Sequence, residues 1–473
     1  MAVIASCLKT TCTSFRCPLR VRGIACALMV ALLASCTKDG GAPKGSPTGR
    51  PNVVFVVIDT LRADAMSVYG NPWPTSPELD EIARSGVRFR RAVSQSAWTR
   101  PSFASFLTSH IPRESGISQE RKHVLPDNMT TLAETLHDAG YTTLGVTANP
   151  NVNSTFKFDQ GFDAYVNAGV RFGWMGQEAS PSDKLYGQAP LRPAPEVFDD
   201  ALALLDKYQK PAKPVYLQLV VMDVHEHLAK LLAKFAAQEF KQHPDRHYFA
   251  ALRYVSVELQ RFLDKLRQRP GFENTMLVII SDHGEGLRSH PHVQNAFVHG
   301  YVVYESQTLV PWIMAEWGSA NLLPSGVVVE QPVRLLDLMP TMLDLLGIKG
   351  PANMEGLSVR AALTGGEVPL PKRFVVETKF RNAHAIGVYG DKYMYVENRE
   401  PLPGTAPVEL QRMGAIQDGA ATNVAGLHAD VVSDLKRHLN AWEKEHPWAP
   451  PTMLGQELKQ EELDQLRALG YAE

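Results

Sequence analysis

The chain has 473 residues, 44% hydrophobic and 21% charged, with 48 basic against 50 acidic side chains and a formal net charge of −2. That balance excludes a basic nucleic-acid footprint, and the length is ample for a large core, with one big α/β unit and a smaller one as the starting expectation. All five cysteines lie at Cys7, Cys12, Cys17, Cys26 and Cys36, so no disulfide supports the rest of the chain.

The first segment reads as a targeting signal. Arg16, Arg20 and Arg22 form a positive region, and residues 23–33 are an apolar stretch too short to span a bilayer. It runs into Leu33-Ala34-Ser35-Cys36, which resembles a bacterial lipoprotein cleavage box. The expectation is a signal peptide over 1–35 and lipidation of Cys36. Residues 36–50, rich in Gly, Pro, Lys and Ser, then serve as a flexible tether. This places the protein in the bacterial cell envelope, anchored to the membrane through Cys36. Thr37 rather than Asp after the cysteine favours the outer membrane.

Residues 52–58 (NVVFVVI) form a continuous β-branched run that reads as a buried parallel strand. Residues 142–147, 215–222 and 276–280 are further strand-length apolar runs. Amphipathic helical stretches lie at 79–85, 131–139 and 248–269. Strand–helix alternation predicts an α/β fold, a large parallel or mixed sheet sandwiched by helices. Ligands of such sheets sit outside the carboxyl ends of the strands. Asp59, Asp223 and Asp282 each follow a predicted strand, so three acids converge on one sheet edge. An Asp at a strand end can equally cap a helix.

After about residue 365 the pattern changes. Residues 374–377, 385–388 and 393–396 read as strands, 431–445 as a helix and 460–471 as a terminal helix. The expected organisation is a catalytic domain over 51–365 and a small C-terminal α+β subdomain over 366–473.

Five segments carry the chemistry. They are Val57-Ile58-Asp59-Thr60-Leu61-Arg62-Ala63-Asp64; Trp98 to Thr108 (WTRPSFASFLT); Met222-Asp223-Val224-His225-Glu226-His227; Ser281-Asp282-His283-Gly284-Glu285; and Phe297-Val298-His299-Gly300 with Tyr304-Glu305. In this order they resemble the sulfatase branch of the alkaline-phosphatase superfamily, as do residues 333–347 and 354–363, so the resemblance runs from Pro51 to about Glu445. It implies an ester hydrolase with one divalent metal, Ca²⁺, Mg²⁺, Mn²⁺ or Zn²⁺, held by Asp59, Asp282, His283 and the nucleophile. The Asp and His donors suit such a cation by themselves. The nucleophile position falls on Thr99, with His225 and His299 around the anion. Counted another way, Asp223 and His227 have the spacing of a second metal site.

The departures bear on mechanism. Thr99 replaces the cysteine that most sulfatases convert to formylglycine. A threonine ester lacks the second hydroxyl that expels sulfate and must be cleared by in-line water, which suits phosphorus better than sulfur. Phe103 stands where the family carries Arg, with Arg100 a possible substitute, and Thr60 stands where many members have a second metal-binding Asp. Thr99 ahead of the helix signalled by Pro101 also fits a plain N-cap. His243, His247, His290 and His292 read as solvent-facing loop imidazoles, Glu285 as a support for the site, and Trp73 and Trp98 as candidate pocket walls.

The expectation is therefore a metal-dependent hydrolase of sulfuric or phosphoric esters acting on a small-molecule, glycan or lipid ester. Two other readings stay open: a non-catalytic lipoprotein that binds anionic glycans, and a phospho-headgroup transferase. Substrate contacts would come from insertions over 166–195 and 228–247.

Overall fold

The structure, a computed structural model, describes residues 49–118, 122–168, 192–211, 213–225, 239–295, 297–414 and 423–468. They fall in one compact unit, Gly45–Glu473. The signal segment, Cys36, His227 and most of the two predicted insertions lie outside the described residues. No described helix is long and apolar enough to cross a membrane.

The main sheet has eight strands. They are β1 (Asn52–Ile58), β2 (Val87–Phe89), β4 (Thr142–Thr147), β5 (Ala164–Val166), β6 (Val215–Val221), β7 (Thr275–Ile280), β9 (Trp312–Trp317) and β10 (Val327–Val329), in the order β10-β2-β9-β7-β1-β6-β4-β5. β1 pairs in parallel with both β6 and β7, and β6 with β4. The antiparallel strand is β9, between β7 and β2, so the sheet is mixed. Every residue of β1, β4, β6 and β7 is buried. Alternate residues face two separate cores: Val54, Val56 and Ile58 of β1 pack into one and Val53, Phe55 and Val57 into the other. A strand covered on both faces must be apolar throughout, which is why NVVFVVI shows no alternation.

The helix that carries a site residue is α2 (Thr99–Thr108); α1 (Pro77–Ser85) packs in the core through Leu79, Ile82 and Ala83. The long helix Arg246–Arg267 covers the face opposite α2 and feeds β7. A small sheet of β3 (Ala92–Val93), β8 (Leu309–Val310) and β11 (Val333–Arg334) lies beside the main one. The C-terminal part is an antiparallel sheet of β12 (Phe374–Phe380), β13 (Ala383–Tyr389), β14 (Tyr393–Glu400) and β15 (Val408–Arg412), with the helix Ala429–Glu445 packed on it through Leu435 and Leu439. This is the small α+β subsection expected after residue 365. The Glu377 N–H donates to Gln95 O at 3.0 Å, tying β12 to the main body.

Candidate active site at the strand ends

β7, β1, β6 and β4 run the same way side by side, so their carboxyl ends share one edge. Asp59 follows β1, Asp223 follows β6, Asp282 and His283 follow β7, and Asn149 follows β4. The chain turns sharply at two points there. Thr60 has φ 58°, a genuine outlier for a β-branched residue, worth about 1–3 kcal/mol of strain. Its N–H donates to Asp282 Oδ1 at 3.3 Å and its hydroxyl to Asp59 O at 2.7 Å. Gly284 lies so close to the Ser306 backbone that a Cβ would sit 2.2 Å from its carbonyl oxygen.

Asp59, Asp282 and His283 are fully buried, and one donor atom from each lies within 4.8 Å of the others. Asp282 Oδ1 accepts from the N–H of His283 at 3.0 Å; among the described residues Oδ2 accepts no hydrogen bond and stands 3.3 Å from His283 Nε2. His283 Nδ1 donates to Gly284 O at 2.9 Å, so a neutral ring turns the Nε2 lone pair toward that oxygen. Burial, and next Asp59, push the Asp282 carboxyl up to about 7, while burial brings His283 down to about 4. Two acids and a neutral imidazole converging on one point fit a hard-to-borderline divalent ion.

Thr99 Oγ1 lies 3.3 Å from His283 Nε2 and 3.4 Å from Asn149 Nδ2. The helix begins at Thr99, two residues before Pro101, and its N-cap is Trp98, so the Thr99 hydroxyl is not the cap. Ser102, one turn on, donates to Asp282 O at 2.6 Å and pins α2 to the end of β7. Asn149 was not singled out in the sequence, yet its Nδ2 donates to Asp59 Oδ2 at 2.5 Å. Its signal was available: it follows β4 on the same edge as the three acids.

The His299 ring lies 4.5 Å from His283 and 5.1 Å from His225, so His299 packs against the cluster and His225 against His299. His299 Nδ1 donates to Glu285 Oε2 at 3.1 Å, which fixes the orientation of its ring. Asp223 is placed differently from the other two acids. Its Oδ2 accepts the Ala194 N–H at 2.9 Å, capping the helix Ala194–Tyr208.

Other expectations shift. Arg100 donates to His123 O at 3.1 Å and lies over the rings of Phe156 and Trp98, while Phe103 packs on Phe106. Trp98 is buried against Phe380, whereas Trp73 lines a cavity of about 310 Å³ with Arg62, Asp64, His243 and Phe249. His290 is not solvent-facing: it is 6% exposed and packs against Tyr304 with the ring centres 4.5 Å apart and tilted by 58°, and burial drops its pKa to about 3.

Comparison with known proteins agrees with this geometry. A sequence model of the sulfatase family matches residues 51–348. A sulfatase of Formosa agariphila is 24% identical, covering 78% of this chain and 84% of its own length. A delta 4,5-hexuronate-2-O-sulfatase of Bacteroides thetaiotaomicron is also 24% identical, covering 81% and 88%. Among solved structures, the phosphonate monoester hydrolase of Silicibacter pomeroyi superposes with a TM-score of 0.63 at 19% identity, covering 84% of this chain and 96% of that one. The motifs that bring two acids, a histidine and a hydroxyl to one strand edge thus stand inside the matched span, and the chain belongs to the sulfatase family of ester hydrolases.

Proposed function

We propose that the protein is a metal-dependent hydrolase of sulfuric or phosphoric esters, with Thr99 as the nucleophile in place of formylglycine. The observation that carries this reading is the position of Thr99 Oγ1, 3.3 Å from His283 Nε2 inside the buried acid cluster. A divalent cation held by Asp59, Asp282 and His283 would neutralise the acids and favour the alkoxide form of Thr99. Asn149 orients the hydroxyl, and the first turn of α2 presents N–H groups to the ester oxygens. Thr99 Oγ bonds to sulfur or phosphorus, the bond to the leaving oxygen breaks, and His225 or His299 gives that oxygen its proton. Water then attacks the same centre in line and restores the hydroxyl. That second step favours phosphorus, and a phosphonate monoester hydrolase shares the fold; one named relative is a hexuronate-2-O-sulfatase, which supports a glycan sulfate as the other candidate.

We also propose that Cys36 is acylated and anchors the enzyme in the cell envelope, on the strength of the sequence pattern over residues 16–36. Cys36→Ala would then move the protein from the membrane to the soluble fraction.

The test of the chemistry is a metal-replete assay of the full chain against an aryl sulfate, a phosphate diester and a phosphonate monoester, with Thr99→Ala as control. Turnover of any of them that is lost in Thr99→Ala supports the proposal. Undiminished turnover in that variant sinks the nucleophile assignment, and no turnover with any metal favours an anion-binding protein.

A further inference from the structure

A second group of metal-type donors lies at the far end of α2. The helix is ten residues long, which places its C-terminus about 15 Å from Thr99. Beyond it come His110 and Glu114, and two distant segments reach the same place. Glu355 arrives on a loop whose backbone N–H donates to Ser109 O at 2.9 Å, and His446 arrives as the residue closing the helix Ala429–Glu445.

One donor atom each from Glu114, Glu355 and His446 lies within 4.8 Å of the other two. Glu355 Oε1 stands 3.7 Å from His446 Nδ1, while Glu355 Oε2 is fixed by the Ile111 N–H at 2.8 Å. His110 supplies an independent observation. It is 4% exposed, and its Nδ1 donates to Thr108 O at 2.7 Å, so a neutral ring directs the Nε2 lone pair outward. That Nε2 faces Glu114 Oε2 at 3.7 Å, beyond hydrogen-bond range. Ligands around a four-coordinate zinc, with bonds near 2.0–2.2 Å, stand roughly 3.3–3.6 Å apart. Histidines anchored through one nitrogen to a backbone carbonyl, with the other toward carboxylates, are how proteins orient metal ligands. Burial and the adjacent Glu355 also raise Glu114 to about 7, the mark of two acids pressed together.

We propose that Glu114, Glu355 and His446 form a structural site for a transition-metal dication, of which Zn²⁺ is the best fit, with the buried His110 facing Glu114 at its edge. Mixed imidazole and carboxylate donors select such an ion over Ca²⁺ or Mg²⁺. The site would join three segments far apart in sequence, including the end of the C-terminal helix. It is separate from the strand-edge cluster and does not depend on the catalytic reading.

The test is zinc stoichiometry and affinity of the chelator-stripped full chain by equilibrium dialysis, followed by thermal melts with and without zinc. Wild type and Asp282→Asn should both retain a zinc that His446→Gln and Glu114→Gln each lose, or bind at least tenfold more weakly. The zinc-dependent rise in Tm should shrink in the same two variants. Glu114 is partly exposed, so Glu114→Gln keeps the test valid if His446→Gln fails to fold. Equal zinc binding by wild type, His446→Gln and Glu114→Gln would overturn the proposal, as would a zinc bound by wild type and lost only in Asp282→Asn.

Discussion

Two regions of this protein bury carboxylates, and they solve the problem in opposite ways. Where the C-terminal sheet meets the main body, Glu377 accepts two hydrogen bonds from Arg113, at 2.6 and 3.1 Å, and is joined at 2.8 Å by His384. Glu377 is desolvated, yet His384 and Arg113 outweigh that cost and hold its carboxyl below the ordinary range. At the strand edge Asp282 is equally buried, but its neighbour is another acid and its pKa rises. The chain sets Arg113 against the acid in one region and a second acid, Asp59, against Asp282 in the other. The first arrangement stabilises the fold; the second crowds two acids, a cost that a proton or a bound cation would relieve.

The sharpest test of that division is Thr99→Ala. If the strand edge exists for chemistry, this variant should lose at least about a thousandfold in kcat while melting within a few degrees of wild type. Glu377→Ala should do the reverse. It leaves Arg113 buried without its main partner and should cost about 3–5 kcal/mol in denaturant unfolding, with kcat of the surviving folded enzyme little changed. A Glu377→Ala protein as stable as wild type would erase the contrast.

Asp282→Asn probes the same difference by its sign. Removing one of two crowded acids should raise the stability of the chelator-treated protein by about 0.5–2 kcal/mol while abolishing turnover. A destabilised Asp282→Asn under chelator would mean that the acids are already balanced within the chain. The readout is paired denaturant melts with and without metal, since added metal should stabilise wild type more than the variant.

Much of this contrast was legible in the sequence on one side only. β1, β6 and β7 announce themselves as largely apolar runs, so the acids that end them could be placed on one edge before any coordinates. β9 (Trp312–Trp317) did not, because its second half is only partly buried and its antiparallel pairing leaves no local mark. Asn149 escaped because an amide carries no titratable signature, although its position after β4 obeys the same rule as Asp59. The burial of His290 depends on Tyr304, which no local pattern predicts. The Glu377–Arg113 pair spans 264 positions in sequence, and nothing local in either segment points to the other. Chemistry clustered at strand ends is readable from one chain; ion pairs that join distant segments are not.

The smallest effect lies at the edge of the paired region. Glu443 bonds Arg399 at 2.6 and 2.8 Å and Arg113 at 2.6 Å, and chiefly the bond from Arg399 brings its pKa down from 4.5 to about 2. A carboxyl depressed in the folded state binds its proton more readily when unfolded. Its contribution is therefore complete above about pH 4.5 and is lost as pH falls toward about 2. Glu443 is partly open to solvent, so screening holds this contribution to about 1 kcal/mol or less. Glu443→Gln should accordingly lower Tm slightly near neutral pH and converge on wild type near about pH 2. Asp282, whose pKa is raised, gives the metal-free protein no such acid-side loss. If Glu443→Gln melted in parallel with wild type across the whole acid range, this carboxylate would be an ornament of the network and the pairing would rest on Glu377 alone.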